Sequence, residues 1–353
     1  MKIILVIPTL KHGGAERVMS ELANEFVKLK HVVHLVLLTK HDEFYTLSPQ
    51  TIVHRLDLIN KNNFQKIFAQ ITALYQLRKI LKTEKPDAIL SFIEKANMVS
   101  ILASRFLKTK TFISSRYNPY KKFSWSFELA RRYIYRQATG IVAQTSESKE
   151  VIQKTIRHNN IRVIANPARS IQKYPKLARE KIIINVGRLV PEKGQQYLLE
   201  AFAGLKRKDW KLVILGDGPL RNNLLCQAEK LEIQNQLVLT GAVSNVDEWL
   251  AKSSIFVFSS ISEGFPNALM EAMSAGLPCI SFDCTTGPSD LIKDGVNGFL
   301  VEDRNVTELK LRMLELISNK QIADKMARNA METTKEYEPS QIAQQYISFF
   351  TGN

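Results

Sequence analysis

Three constellations in this chain combine residue types and spacings that could do chemistry: the carboxylates Glu263 and Glu271, the cations Arg188 and Lys193, and the glycine pair Gly13-Gly14. In Ser262-Glu263-Gly264-Phe265-Pro266-Asn267 and onward to Gly276, Pro266 fits a first helical turn and Gly276 a C-terminal cap. Glu263 then lies in the loop ahead of a helix and Glu271 in its second turn. A carboxylate beside free helix N–H groups can orient sugar hydroxyls, and one farther along can accept from a ribose diol. A complement to the helix dipole and a plain surface residue account for the same two positions equally well. Arg188 supplies a planar fork and Lys193 a point charge on a glycine-punctuated turn from Gly187 to Gly194, which suits a diphosphate whose charge grows as a bond breaks. Solvated cations on an exposed loop remain the other reading. Gly13 and Gly14 open a helix and could admit a phosphate to its free N–H groups, or simply make a turn.

Several chemistries are excluded. The Gly13-Gly14 spacing does not match Gly-x-Gly-x-x-Gly, and no acidic residue stands in a clear ribose position after the second strand, so NAD is not expected. No Asp-x-Asp occurs to hold a divalent metal on a diphosphate. The six histidines precede residue 160 without a second ligand pair, and Cys226, Cys279 and Cys284 form no Cys-x-x-Cys. Neither a metal nor a cofactor is expected. The odd cysteine count points to a reducing compartment, with Cys279 and Cys284 as core thiols. No local Ser/His/Asp or Cys/His nucleophile arrangement appears.

The elements that would position these residues alternate regularly along 353 residues, a length suited to two domains. Ile3–Ile7, Val32–Leu38, Ala88–Phe92, Thr111–Ser114, Gly140–Ala143 and Arg162–Ile164 read as buried parallel strands separated by helical periodicity. After a polar, Pro175-containing linker the pattern restarts with Ile182–Val186, Leu212–Leu215, Leu237–Leu239, Ile255–Phe258 and Cys279–Phe282. The expected architecture is α/β: residues 1–166 as one doubly wound domain, 167–181 as linker, 182–339 as a second, and an amphipathic segment within 340–353 returning to the first. The apolar start, Ile3 to Ile7 before Pro8, is too short for a signal-peptide core, and no run approaches a spanning helix. A cytoplasmic protein, at most peripheral on the inner membrane face, is expected.

The formal charge is +15, and residues 1–181 hold +19 of it against −4 for the remainder. Residues 95–127 contain seven cations and no acidic residue. Residues 105–136 interleave cations with Tyr117, Tyr120, Phe123, Trp125, Phe127, Tyr133 and Tyr135, a surface that could rest on anionic headgroups; a solvated basic helix pair with inward aromatics is the alternative.

Taken together, the Gly13-Gly14-Ala15-Glu16-Arg17 loop, the Gly187-Arg188 to Glu192-Lys193-Gly194 segment, the Gly216-Asp217-Gly218-Pro219 turn and the Glu263/Glu271 pair resemble the family 4 retaining glycosyltransferases of the GT-B architecture, two Rossmann-like domains facing across a cleft. Thr286 to Ile292 and Asn297 to Leu300 match too, with Asp290 where Glu is more usual. The resemblance implies a nucleotide-sugar donor on the second domain, an acceptor on the first, and transfer with retention and without metal. Arg188 and Lys193 would hold the donor phosphates, with Gly13, Gly14 and Gly187 close by. Glu263 with Gly264, Phe265, Pro266 and Asn267 would hold sugar hydroxyls, and Glu271 the ribose. The base would lie near Gly216, Gly218, Ala242 and Val243. The Ile113-to-Pro119 loop aligns with an acceptor-facing loop, which places Arg116 and Asn118 near the acceptor, beside Glu94 or Asn97.

The resemblance is greatest to bacterial enzymes that extend polyprenyl-diphosphate-linked oligosaccharides for O-antigen or capsule. A UDP-hexose or UDP-N-acetylhexosamine donor is implied, galactose or N-acetylgalactosamine ahead. A GT-B-fold epimerase or phosphorylase stays open, since fold does not fix function. A nucleic-acid-binding protein is disfavoured because no recognised module matches and the second half is slightly acidic.

Overall fold

In the computed structural model, which describes residues 1–11, 13–40, 43–58 and 63–352, the chain forms two units, Met1–Pro167 with Pro339–Asn353 and Ala168–Glu338. The first runs β1 (Lys2–Ile7), α1 (Gly14–Lys28), β2 (Val32–Thr39), β3 (Ile52–Leu58), α2 (Asn63–Glu84), β4 (Ala88–Phe92), α3 (Glu94–Ser104), β5 (Lys110–Ser114), α4 (Trp125–Tyr135), β6 (Gly140–Ala143), α5 (Ser146–Ile156) and β7 (Ile161–Val163). Its strands lie in the order β3-β2-β1-β4-β5-β6-β7, all parallel. β1 and β4 are buried nearly throughout because helices cover both faces, which is why they read as unbroken apolar runs.

The second unit runs β8 (Ile182–Val186), a short 3₁₀ turn at Pro191–Lys193, α6 (Gln195–Ala203), β9 (Lys211–Leu215), α7 (Arg221–Lys230), β10 (Leu237–Gly241), α8 (Val246–Lys252), β11 (Ile255–Phe258), α9 (Asn267–Ser274), β12 (Cys279–Phe282), α10 (Pro288–Leu291), β13 (Phe299–Val301), α11 (Val306–Ser318) and α12 (Lys320–Thr333). Its sheet order is β10-β9-β8-β11-β12-β13. The core gathers Ile183, Leu198, Ile214, Val257, Ile280, Phe282, Leu309 and Met313. Cys279 and Cys284 are buried in this unit, and burial pushes the Cys284 thiol up to about 12.

The last helix, α13 (Pro339–Thr351), belongs to the first unit. Ile342, Ala343, Tyr346, Phe349 and Phe350 form its buried face at helical spacing. Phe350 packs 4.8 Å from Phe112 and 6.2 Å from Phe26, ring centre to ring centre. Phe349 lies over Gly140, where a Cβ would come within 2.6 Å of its ring. Burying each phenylalanine stabilises this docking by roughly 1.5–3 kcal/mol.

Two strands escaped the sequence pattern. β3 is an edge strand whose Ile-Val-His-Arg-Leu-Asp-Leu sequence mixes polar and apolar residues because only one side is paired. β13 is a three-residue edge strand. Residues 168–181 carry no helix or strand, yet they do not hang free. Arg179 donates to the Ser253 and Gly276 carbonyls, and the Glu180 N–H donates to Lys252 O. The segment expected as a linker is thus fastened to the second unit.

Candidate functional site

Each sheet reverses its strand order at its first strand, and the loops at the carboxyl ends there form the crevice in which open α/β sheets bind ligands. In the second unit the reversal lies between β8 and β11. The loop after β8 packs backbone to backbone on the loop after β9. Gly187 N–H donates to Leu215 O at 2.9 Å and Leu189 N–H to Asp217 O at 3.0 Å. Gly216, at φ +141°, passes so near that a Cβ would stand 2.0 Å from Gly187 O, and one on Gly218 would stand 2.5 Å from Leu189 O. Gly216 N–H donates in turn to Gly241 O, which sets exposed Ala242 and half-buried Val243 beside this wall.

The loop after β11 closes on the same turn from the other side. Ile261 N–H donates to Glu192 O, and Ser259 Oγ to Lys193 O, both at 2.9 Å. Gly194 takes φ +60° with space for no side chain, since a Cβ would fall 2.2 Å from Ser259 O. Lys193 is thereby aimed at Glu263, with Nζ 2.5 Å from Oε1 and side chains 21% and 11% exposed. Arg188 is exposed, and its guanidinium makes no ion pair or hydrogen bond among the described residues, while Gln195 Nε2 donates to its carbonyl at 3.1 Å. One free fork and one paired ammonium therefore sit on the same turn.

Glu263 is held from below: Thr286 Oγ1 donates to its carbonyl, and Gly287, at φ +100°, approaches Pro266 so closely that a Cβ would lie 2.3 Å from its ring. Pro266 is not in the first turn of α9 as expected. It caps the helix at φ −83°, ψ 66°, outside helical geometry, and Asn267 is the first helical residue. Phe265 and Pro266 are buried, Gly264 and Asn267 half-buried. Glu271 is in the second turn as expected, and its Oε2 lies 3.3 Å from Arg169 Nη2.

In the first unit the strand order reverses between β1 and β4. Gly13 caps α1 in extended backbone and Gly14 is its first residue. Tyr45 Oη donates to Gly13 O at 2.9 Å and accepts from Gly13 N–H at 3.2 Å. The Glu16 carboxylate folds back over Gly13, complementing the helix dipole there. His12 of this loop lies outside the described residues.

After β4 the chain turns through Ile93, at φ +75°, into Glu94, which is only 3% exposed. Ser115 Oγ donates to Glu94 Oε1 at 2.5 Å, while Oε2 is buried with no hydrogen bond to another residue among those described. Burial raises the pKa of this carboxyl; the Ser115 bond only partly offsets it. Asn118 Oδ1 accepts from Tyr120 N–H at 2.8 Å.

Two expected acceptor residues do other work. Asn97 is fully buried. Its Oδ1 accepts from Ser91 Oγ at 2.8 Å, and its Nδ2 donates to Ser114 O and Tyr135 Oη, each at 3.0 Å, so it pins β4, β5 and α4 together beneath the surface. Arg116 stacks on Phe92 at 3.4 Å, donates to Asn166 Oδ1 at 2.5 Å and to Tyr346 Oη at 2.9 Å. This guanidinium fastens α13 through Tyr346, while its Nε is buried with no hydrogen-bond partner among the described residues.

Sequence reasoning missed Ser115, Ser259, Arg169 and Asp247. Ser115 lay inside a loop already singled out. The others carry no local spacing signal, since their partners are 66 to 102 residues away. Among the described residues no cluster of His, Cys, Asp or Glu is placed to hold a metal ion.

Two family models match the chain nearly end to end: Glycosyltransferase Family 4 over residues 12–169 and Glycosyl transferases group 1 over residues 168–333. A relative in Methanocaldococcus jannaschii, described as an uncharacterized glycosyltransferase, is 34% identical over 67% of this chain and 66% of its own. An undecaprenol-diphosphate-oligosaccharide α-1,4-N-acetylgalactosaminyltransferase of Campylobacter jejuni is 29% identical over 98% of this chain and 97% of its own. The solved structure of HepE from Anabaena in complex with UDP superposes with TM-score 0.81 at 19% identity, covering 100% of both chains. With two Rossmann-like units and both family models in sequence, the chain belongs to the family 4-type glycosyltransferases of GT-B fold.

Proposed function

We propose that the protein moves a hexose or N-acetylhexosamine from a UDP-sugar to a polyprenyl-diphosphate-linked glycan, with retention at the anomeric carbon and without a metal. The observation that carries this reading is the turn after β8, where free Arg188 and the Lys193–Glu263 pair share the strand-reversal crevice of the second unit. A donor diphosphate competes with Glu263 for Lys193, and the carboxylate it displaces becomes free to accept from sugar hydroxyls. Arg188 binds the same diphosphate bidentately and stabilises the charge that develops as the glycosidic bond breaks. The acceptor hydroxyl attacks from the face the diphosphate leaves, and the departing phosphate oxygen takes its proton, so no dedicated protein base is needed. The absence of Asp-x-Asp from the sequence supports protein cations in place of a metal.

Ala242 and Val243 are assigned to the base, Glu271 to the ribose, and Glu94 and Asn118 to the acceptor side. The similarity to the Campylobacter enzyme favours N-acetylgalactosamine and a lipid-diphosphate acceptor. A cytoplasmic location on the inner membrane face follows from that acceptor. No described helix is long and apolar enough to cross a membrane. Instead α4 turns Trp125, Leu129 and Tyr133 outward at four-residue spacing, 80%, 60% and 67% exposed, which supports peripheral contact.

A thermal-shift panel of UDP, GDP, NAD and short duplex DNA tests the donor class. Stabilisation by UDP above the others is expected. Stabilisation by DNA with no response to any nucleoside diphosphate overturns the reading.

A further inference from the structure

Arg169 opens the second unit, two residues after the chain leaves the first at Pro167. Its guanidinium forks onto Asp247, Nη1 to Oδ2 at 2.9 Å and Nη2 to Oδ1 at 2.5 Å, and Nη2 also reaches Glu271 Oε2 at 3.3 Å. Asp247 is fixed independently: it sits in the first turn of α8, where the helix dipole favours an anion, and accepts from Gln172 N–H at 2.8 Å. The three side chains are 27%, 14% and 16% exposed. Burial works against the charge on Arg169, yet its bonds to Asp247 and the nearby Glu271 hold its pKa above the ordinary arginine value.

This cluster has one cation for two carboxylates. Surface ion pairs contribute little to stability, but a bidentate, half-buried fork fixes geometry. Glu271 is restrained through one oxygen only; Oε1 carries no hydrogen bond among the described residues. Without Arg169, Glu271 and Asp247 would repel each other and Glu271 would sample its other rotamers.

We infer that Arg169, anchored by Asp247, is a positioning residue for nucleotide recognition: it holds Glu271 by Oε2 so that Oε1 faces a ribose hydroxyl of the donor. The inference rests on the reading of Glu271 as the ribose ligand. It assigns a binding role to a stretch of chain that has neither helix nor strand.

Calorimetric binding of UDP and of 2′,3′-dideoxy-UDP to the full chain separates the two claims. Wild type is expected to prefer UDP by about tenfold or more, the effect of a hydrogen bond to a charged group. Arg169→Met should shrink that preference to within about threefold while leaving dideoxy-UDP affinity unchanged. Arg169→Lys, which keeps the charge and loses the fork, should fall between. An Arg169→Met variant that keeps the wild-type preference overturns the inference and leaves the Glu271 reading standing. Equal wild-type affinities overturn the Glu271 reading, and the inference with it. A misfolded variant would lose both ligands alike; Asp247→Asn, nearly isosteric, then carries the same comparison, with a reduced preference expected and an unchanged one contrary.

Discussion

Glu94 and Lys193 are two ionisable groups whose surroundings differ in kind. Lys193 meets a carboxylate at 2.5 Å, so its charge is balanced within the protein. Glu94 is buried, and the Ser115 hydroxyl, its own backbone N–H and the charges of Arg131 and Lys121 only partly offset that burial. Its raised pKa has a definite sign in stability. Folding favours the protonated form, so the contribution is fully present below the unfolded glutamate value of about 4.3 and is lost as pH rises through the higher folded value. Glu94→Gln keeps an acceptor for Ser115 and never ionises. Its melting temperature relative to wild type should therefore climb between about pH 4 and pH 7; a difference that stays flat or falls with pH contradicts this assignment. The turn after β8 was legible as a turn because Gly187, Arg188, Lys193 and Gly194 lie within eight consecutive residues. The packing roles of Asn97 and Arg116 were not legible, because polar side chains serve packing as readily as binding, and their partners, Tyr135, Asn166 and Tyr346, are distant in sequence.

Central strands betray themselves as elements, since burial on two faces leaves nearly continuous apolar runs. β1, β4, β8 and β11 were readable for that reason; of the four edge strands β7 and β10 were read from short apolar runs, whereas β3, which mixes polar and apolar residues, and the three-residue β13 were not. The Pro266 position shows a different limit. Proline suits either a first helical residue or the residue before it, and the close approach of Gly287 decides between them. Gly194 is the element-scale counterpart, a left-handed residue on which the β8 and β11 loops meet. Gly194→Ala carries a backbone cost of about 1–2 kcal/mol and must also push the Ser259 carbonyl away. The unfolding midpoint should drop accordingly, and turnover should fall with it because Lys193 moves. Unchanged stability and turnover would mean that the two loops do not depend on this contact.

The division of the whole molecule into units sharpens its charge. Residues 1–167 with 339–353 hold 27 Lys/Arg and 12 Asp/Glu, and residues 168–338 hold 22 of each. The first unit thus carries the entire +15 and the second is neutral. Of the five cations in 168–181, Arg169 pairs with the second-unit acid Asp247 and Lys181 with Asp209. A cationic unit bearing the outward Trp125/Leu129/Tyr133 stripe should co-sediment with vesicles containing anionic lipid. That binding should weaken with salt and after Trp125→Ala with Tyr133→Ala; indifference to both lipid charge and salt would count against the membrane contact. In the neutral unit the proposed anion binding would rest on a few placed groups, so one substitution should expose it. The most direct measurement is transfer of sugar from a UDP-sugar panel to a polyprenyl-diphosphate-linked glycan in the presence of EDTA, for wild type and Lys193→Ala. The expected result is α-linked glycolipid from wild type and a fall in kcat on the order of 10²-fold or more in the variant. No transfer from any UDP-sugar, or a Lys193→Ala variant with wild-type turnover, would contradict the account.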